Sequence, residues 1–228
     1  MTAEPTRPSI RAIVFDFDGV VVDSEPLYEK AENRLFEQYG IQVPPEDWKQ
    51  FKGMSERDFL QLIRQKYGIP AKTDTLRQLG RSYLREVFAA ELDYMPGFLE
   101  FYRKIKSNYT IGLVTSSARD IIEWVFGNTA VQNHFEYLLT GEDTQNNKPH
   151  PEPYLMMARR IGIEAQAMLV IEDSINGVRS ASASGARTIG FLSGMSVTDL
   201  AAAEFHARDY GEVWQILQDL RESGQRMK

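Results

Sequence analysis

Five short, continuous apolar runs separated by helical patterns constrain this chain more than any other feature. They are Ile13-Val14-Phe15, Tyr109-Thr110-Ile111-Gly112-Leu113-Val114, Tyr137-Leu138-Leu139, Met168-Leu169-Val170-Ile171 and Thr188-Ile189-Gly190-Phe191. Unbroken rather than alternating hydrophobicity predicts strands buried on both faces, the mark of a parallel sheet. Helices are predicted between them. One runs from Gly97 to Lys106, with Phe98, Phe101, Tyr102 and Ile105 on one face; a second begins near Pro151 and closes at Gly162; a third follows Asp173-Ser174. Strands alternating with such helices predict an α/β doubly wound sheet.

Residues 24–95 interrupt that rhythm, with almost nothing strand-like and four consecutive helical patterns. Ser24-Glu25-Pro26 opens the first, where Ser can cap and Pro is tolerated in the first turn. Pro44-Pro45-Glu46-Asp47 opens the second, Ser55-Glu56-Arg57-Asp58 the third, and the fourth runs from about Asp74 to Ala90 before the turn at Tyr94-Met95-Pro96-Gly97. The total of 228 residues suits one large domain carrying an insertion. The expected division is an α/β core over 1–22 and 96–228, with an all-α helical cap over 23–95 and hinges near Asp23-Ser24 and Met95-Pro96-Gly97.

In open α/β sheets the site lies beyond the carboxyl ends of the strands. There the first run releases Asp16, Phe17, Asp18 and Gly19; the second, Thr115, Ser116 and Ser117; the fourth, Glu172, Asp173 and Ser174. Parallel pairing would crowd four carboxylates into one cleft, where like charges repel by several kcal/mol and require a counter-charge. The chain has no cysteine, which excludes thiolate catalysis, iron–sulfur clusters and Cys-type zinc sites, and its three histidines lack ligand spacing. A hard, oxygen-loving Mg²⁺ is the natural counter-ion, and it leaves room for water and phosphate. Lys148, in Asn146-Asn147-Lys148-Pro149 just before a helix start, supplies a cation for phosphate oxygens; Thr115, also placed at a helix start, supplies a hydroxyl and an N–H. Singly, each residue has an ordinary explanation: a turn Asp, an N-cap Ser or Thr, a solvated Lys. Glu142-Asp143 reads as a solvated loop. Their joint occurrence at successive strand ends shifts the balance.

The net charge of −6, with no basic block, argues against nucleic acid. A polar, proline-broken N-terminus and the absence of a long apolar run predict a cytoplasmic protein with no membrane partner. A monomer or weak homodimer is expected, the oligomeric state being otherwise open.

On Phe15-Asp16-Phe17-Asp18-Gly19-Val20, Thr115, Lys148-Pro149 and Ile171-Glu172-Asp173-Ser174 with Gly177, the chain resembles the haloacid dehalogenase superfamily of phosphotransferases. It is most similar to the branch of β-phosphoglucomutases and small sugar-phosphate phosphatases. The resemblance implies Asp16 as the nucleophile that becomes an aspartyl phosphate and Asp18 as general acid, then base. It implies Mg²⁺ on Asp16, the backbone carbonyl of Asp18 and Asp173, with Glu172 as ligand or in contact with one. Thr115, Ser116 and Lys148 would hold the phosphoryl oxygens. The loop Phe51-Lys52-Gly53-Met54-Ser55, through Lys52 and Gly53, would select the substrate. The mutases of the branch carry a His at Tyr28 and an Arg at Glu56; Glu56 would repel a distal phosphate, although Arg57 could substitute. The expected function is therefore a Mg²⁺-dependent phosphatase of small phosphorylated metabolites, with a hexose-phosphate mutase as runner-up. A phospho-accepting receiver-type module is a more distant alternative, disfavoured because Asp16 lies on the first strand.

Overall fold

The computed structural model describes residues 8–51 and 56–225. The chain divides into two compact units, Met1–Asp23 with Tyr94–Lys228, and Ser24–Asp93.

The first unit is a six-stranded parallel sheet. In chain order its strands are β1 (Ala12–Phe15), β2 (Thr110–Val114), β3 (Tyr137–Leu139), β4 (Met168–Glu172), β5 (Arg187–Phe191) and β6 (Phe205–Ala207), arranged β3-β2-β1-β4-β5-β6. All four residues of β1 are fully buried, as a central strand covered on both faces requires. Adjacent strand residues point to opposite faces. Val14 accordingly joins a cluster with Tyr154 and Met157 of one helix, while Phe15 meets Phe98 and Phe101 of another edge-on. Those helices are α7 (Glu152–Ile161) and α5 (Phe98–Ile105); α6 (Arg119–Asn128), α8 (Ile175–Ala183) and α9 (Tyr210–Gln225) complete the unit. Each large apolar side chain buried here contributes about 1.5–3 kcal/mol.

Register decides where the strand ends fall. Phe15 stands opposite Leu113 on one side and Ile171 on the other, so the residues after β1, β2 and β4 emerge at one edge. β1 is also where the strand order reverses, the place where open sheets form a crevice. The segment after β1 is tightly turned: Val21 and Val22 N–H donate to Phe17 O, and Gly19 N–H donates to Val22 O.

The second unit is helical: α1 (Glu25–Gln38), α2 (Pro45–Phe51), α3 (Glu56–Lys66) and α4 (Thr73–Glu91). α1 packs along α4. Leu35, Phe36, Phe51, Phe59, Leu60, Ile63 and Leu76 form its core, with Phe36 stacked on Phe51 and edge-on to Phe59. Asp47 on α2 accepts from Lys66 Nζ and Tyr67 Oη, both at 2.5 Å, and ties α2 to the end of α3.

Several details depart from expectation. Ser24 stands at the N-cap of α1, yet its backbone is already helical and its side chain makes no capping bond. Glu142-Asp143 is more than a solvated loop: Asp143 closes a capping box with Thr140 and pairs with Arg119 and Arg160. β6 and α9 carry no long apolar run and escape the periodicity reading. Among the described residues no helix is long and apolar enough to cross a membrane.

Candidate active site

Asp16 is the first residue beyond β1, and its N–H donates to Ile171 O, extending the ladder by one step. The side chain is buried there. Lys148, far along the chain, reaches it: Nζ lies 2.7 Å from Asp16 Oδ1, 2.5 Å from Glu172 Oε1 and 2.9 Å from the carbonyl oxygen of Val114. Three acceptors match the three hydrogens of the ammonium.

Glu172, the last residue of β4, is fully buried. Its Oε1 also accepts from Tyr154 Oη at 2.6 Å, and its Oε2 accepts from Ser174 Oγ at 3.2 Å. Ser174 caps α8, accepting from Gly177 N–H at 2.9 Å. Gly177 is required by space: a Cβ there would stand 2.0 Å from the Glu172 carboxylate. Asp173 Oδ2 accepts from Ser193 Oγ at 2.9 Å. Gly19, at φ +70°, is required twice over, by its left-handed backbone and because a Cβ would sit 2.1 Å from Asp173 Oδ2.

Thr115 follows β2 and is buried, with its N–H bonded to Leu139 O. It does not start a helix. α6 begins at Arg119, and the turn between contains Ser117, whose N–H donates to Thr115 Oγ1 at 2.9 Å and whose Oγ donates to Asp18 Oδ2 at 2.5 Å. Lys148 likewise precedes α7 by several residues, and its ammonium, not the helix terminus, makes the contacts. Ser116 is exposed. Arg57 lies exposed in the first turn of α3, and Lys52 and Gly53 lie outside the described residues. Glu56 is held by two bonds from Arg81, at 2.7 and 2.8 Å, and by Arg77 at 3.4 Å. The repulsion anticipated from Glu56 is thus offset within its own unit. Tyr28 stands edge-on to Phe88.

Burial and the neighbouring Glu172 push the Asp16 carboxyl well above its usual range, against the pull of Lys148. Burial alone would lower Lys148, but Asp16 and Glu172 outweigh it and raise it above the ordinary lysine value. One ammonium therefore does not neutralise the acids, and a further cation would. Asp16, Glu172 and Asp173 each present an oxygen within 4.8 Å of the others. Two oxygens across an Mg²⁺ ion stand about 4.2 Å apart, so these oxygens would have to draw slightly closer to hold one ion. Oxygen donors without His or Cys suit Mg²⁺. The Asp18 carboxylate is not in this group.

Tyr154, Ser117 and Ser193 received no role from the sequence. Tyr154 lies on the buried face of α7, and the signal for its role is a hydroxyl at a core-facing position, where it must find an acceptor. Ser193 is the second residue beyond β5, so the strand-end rule reaches it when the loop after every strand is inspected.

Fold and site together define an α/β enzyme with a buried centre of carboxylates and one lysine. The chain belongs to the haloacid dehalogenase-like hydrolases, whose sequence pattern matches residues 13–191. Its curated relatives include the phosphorylated carbohydrates phosphatase of Thermotoga maritima, 29% identical over 79% of this chain and 84% of that protein. The phosphoglycolate phosphatase of Salmonella typhi is 26% identical over 85% of this chain and 86% of its own. Among solved structures, the β-phosphoglucomutase of Clostridium difficile covers 94% of this chain and 98% of its own, with a TM-score of 0.74. At 22% identity that likeness establishes the fold alone.

Proposed function

We propose that this enzyme is a Mg²⁺-dependent phosphatase of small phosphomonoesters, sugar phosphates foremost, that works through an aspartyl phosphate on Asp16. The observation that carries this reading is Asp16 itself: a buried carboxylate held by Lys148 Nζ at 2.7 Å, beside Glu172 and Asp173. The phosphatases among its relatives support it, and the Thermotoga protein points toward carbohydrate phosphates.

In the first step an Asp16 oxygen bonds to phosphorus as the bond to the leaving oxygen breaks. That oxygen takes the electron pair and receives the proton of the Asp18 carboxyl. In the second step Asp18 removes a proton from water, the water oxygen bonds to phosphorus, and Asp16 departs as carboxylate. Lys148 and the Thr115 hydroxyl hold the phosphoryl oxygens while charge shifts among them. Mg²⁺, held by Asp16, the Asp18 carbonyl and Asp173 with Glu172 alongside, would supply further neutralisation of those oxygens. The helical segment 23–95 serves as the substrate-selecting cap, with Lys52, Gly53 and Arg57 as its selecting residues and Ser116 as a phosphate contact in the core. Tyr28 supplies no imidazole, which favours hydrolysis over the mutase reaction.

A panel of sugar phosphates and phosphoglycolate, read for both free phosphate and isomerised product, tests the reading. Phosphate release that requires Mg²⁺ is expected; isomerised sugar without net phosphate release would overturn it.

A further inference from the structure

Ser117 Oγ donates to Asp18 Oδ2 at 2.5 Å, joining two residues 99 positions apart in the chain. The donor is itself fixed, because Ser117 N–H is bonded to Thr115 Oγ1 at 2.9 Å. The backbone at Asp18 is held too, by the bonds from Val21 and Val22 to Phe17 and from Gly19 to Val22. What backbone closure leaves undetermined is rotation of the Asp18 carboxyl, and the Ser117 hydroxyl stops that rotation. A bond at this length is at the short, strong end for a hydroxyl on a carboxylate.

We infer that Ser117 is a positioning residue for proton transfer by Asp18, an inference that rests on the acid–base role proposed above. With Ser117 Oγ donating to Oδ2, that oxygen is held as an acceptor, and the proton that the acid form of Asp18 gives to the leaving group is assigned to Oδ1. The same turn aims Thr115: its Oγ1 accepts from Ser117 N–H, so its own hydrogen is left to donate to a phosphoryl oxygen. One three-residue turn after β2 thereby sets both the phosphoryl hydroxyl and the proton donor.

The test compares kcat/KM for the best sugar phosphate, an alkoxide leaving group that needs a proton, with that for a nitrophenyl phosphate, which leaves readily without one. Ser117→Ala should lose roughly 10- to 100-fold on the sugar phosphate and less than about threefold on the aryl phosphate, with the loss in kcat. Ser117→Thr, which restores the hydroxyl, should recover most of the rate. In an Asp18→Asn background the Ser117→Ala change should cost nothing further, because Ser117 acts through Asp18. Equal losses on both substrates, no loss, or a loss that persists without Asp18 would overturn the inference. Asp18→Asn alone separates the two levels. If it fails to discriminate between leaving groups, the acid role falls and the inference with it. If it discriminates and Ser117→Ala does not, only the role of Ser117 falls.

Discussion

Lys148 Nζ sits 2.7 Å from Asp16 Oδ1 with the two side chains only 5% and 11% exposed, an ion pair withdrawn from water and shared with Glu172. Breaking a buried pair from one side leaves an uncompensated charge, which typically costs about 3–5 kcal/mol. Lys148→Met should therefore destabilise the metal-free protein by about that amount near neutral pH, read by urea unfolding. It should also cut turnover by at least about 10²-fold through loss of a donor to the phosphoryl oxygens. A variant that unfolds like the parent would contradict the buried-pair account.

Gly177 and Gly127 make a matched contrast. Both lie in helices, but a methyl at Gly177 collides with Glu172 whereas nothing lies within 4 Å of one at exposed Gly127. Gly127→Ala should gain up to about 1 kcal/mol from helix propensity. Gly177→Ala should lose about 1–3 kcal/mol despite the same propensity gain, because the collision forces Glu172 away from Lys148. Thermal melts of the two variants decide it; equal shifts would contradict the packing argument.

Glu32 on α1 gives a pH signature. Burial, with Glu29 adding repulsion, pushes its carboxyl from 4.5 up to about 7. A raised carboxylate value means the folded form holds the proton that the unfolded form has released. Stability therefore falls as pH rises between those two values. Glu32→Gln should match the parent near about pH 4 and exceed it by at most about 3 kcal/mol near about pH 8. Urea midpoints at the two pH values check this, and a variant no more stable at the higher pH would refute it.

Much of this was legible in the sequence because parallel strands are buried on both faces. Tyr137–Leu139 matches β3 end to end, and the run ending at Ile171 is one residue short of β4 only because Glu172 is charged. β6 was not legible: it is no shorter than β3 and, like β3, lies at a sheet edge, but Phe205-His206-Ala207 carries a histidine where β3 has an unbroken apolar run. The convergence of Asp16, Thr115 and Glu172 followed from strand order, since each is the residue at or just past a buried strand end. The contacts of Ser117 and Tyr154 did not follow, because a hydroxyl's partner depends on side-chain direction across elements far apart in sequence. Ser24 misled for a local reason: the residue type suits a cap, but its backbone had already entered the helix.

Asp16 is proposed to carry the phosphoryl group. Acid quenching during turnover of a sugar phosphate with Mg²⁺, reduction with borohydride and peptide mapping test it directly, because an acyl phosphate is reduced where a free carboxylate is not. The modification is predicted at Asp16, absent without substrate and absent in Asp16→Asn, which should not turn over. Modification at another residue, or sustained hydrolysis by Asp16→Asn, would contradict the account.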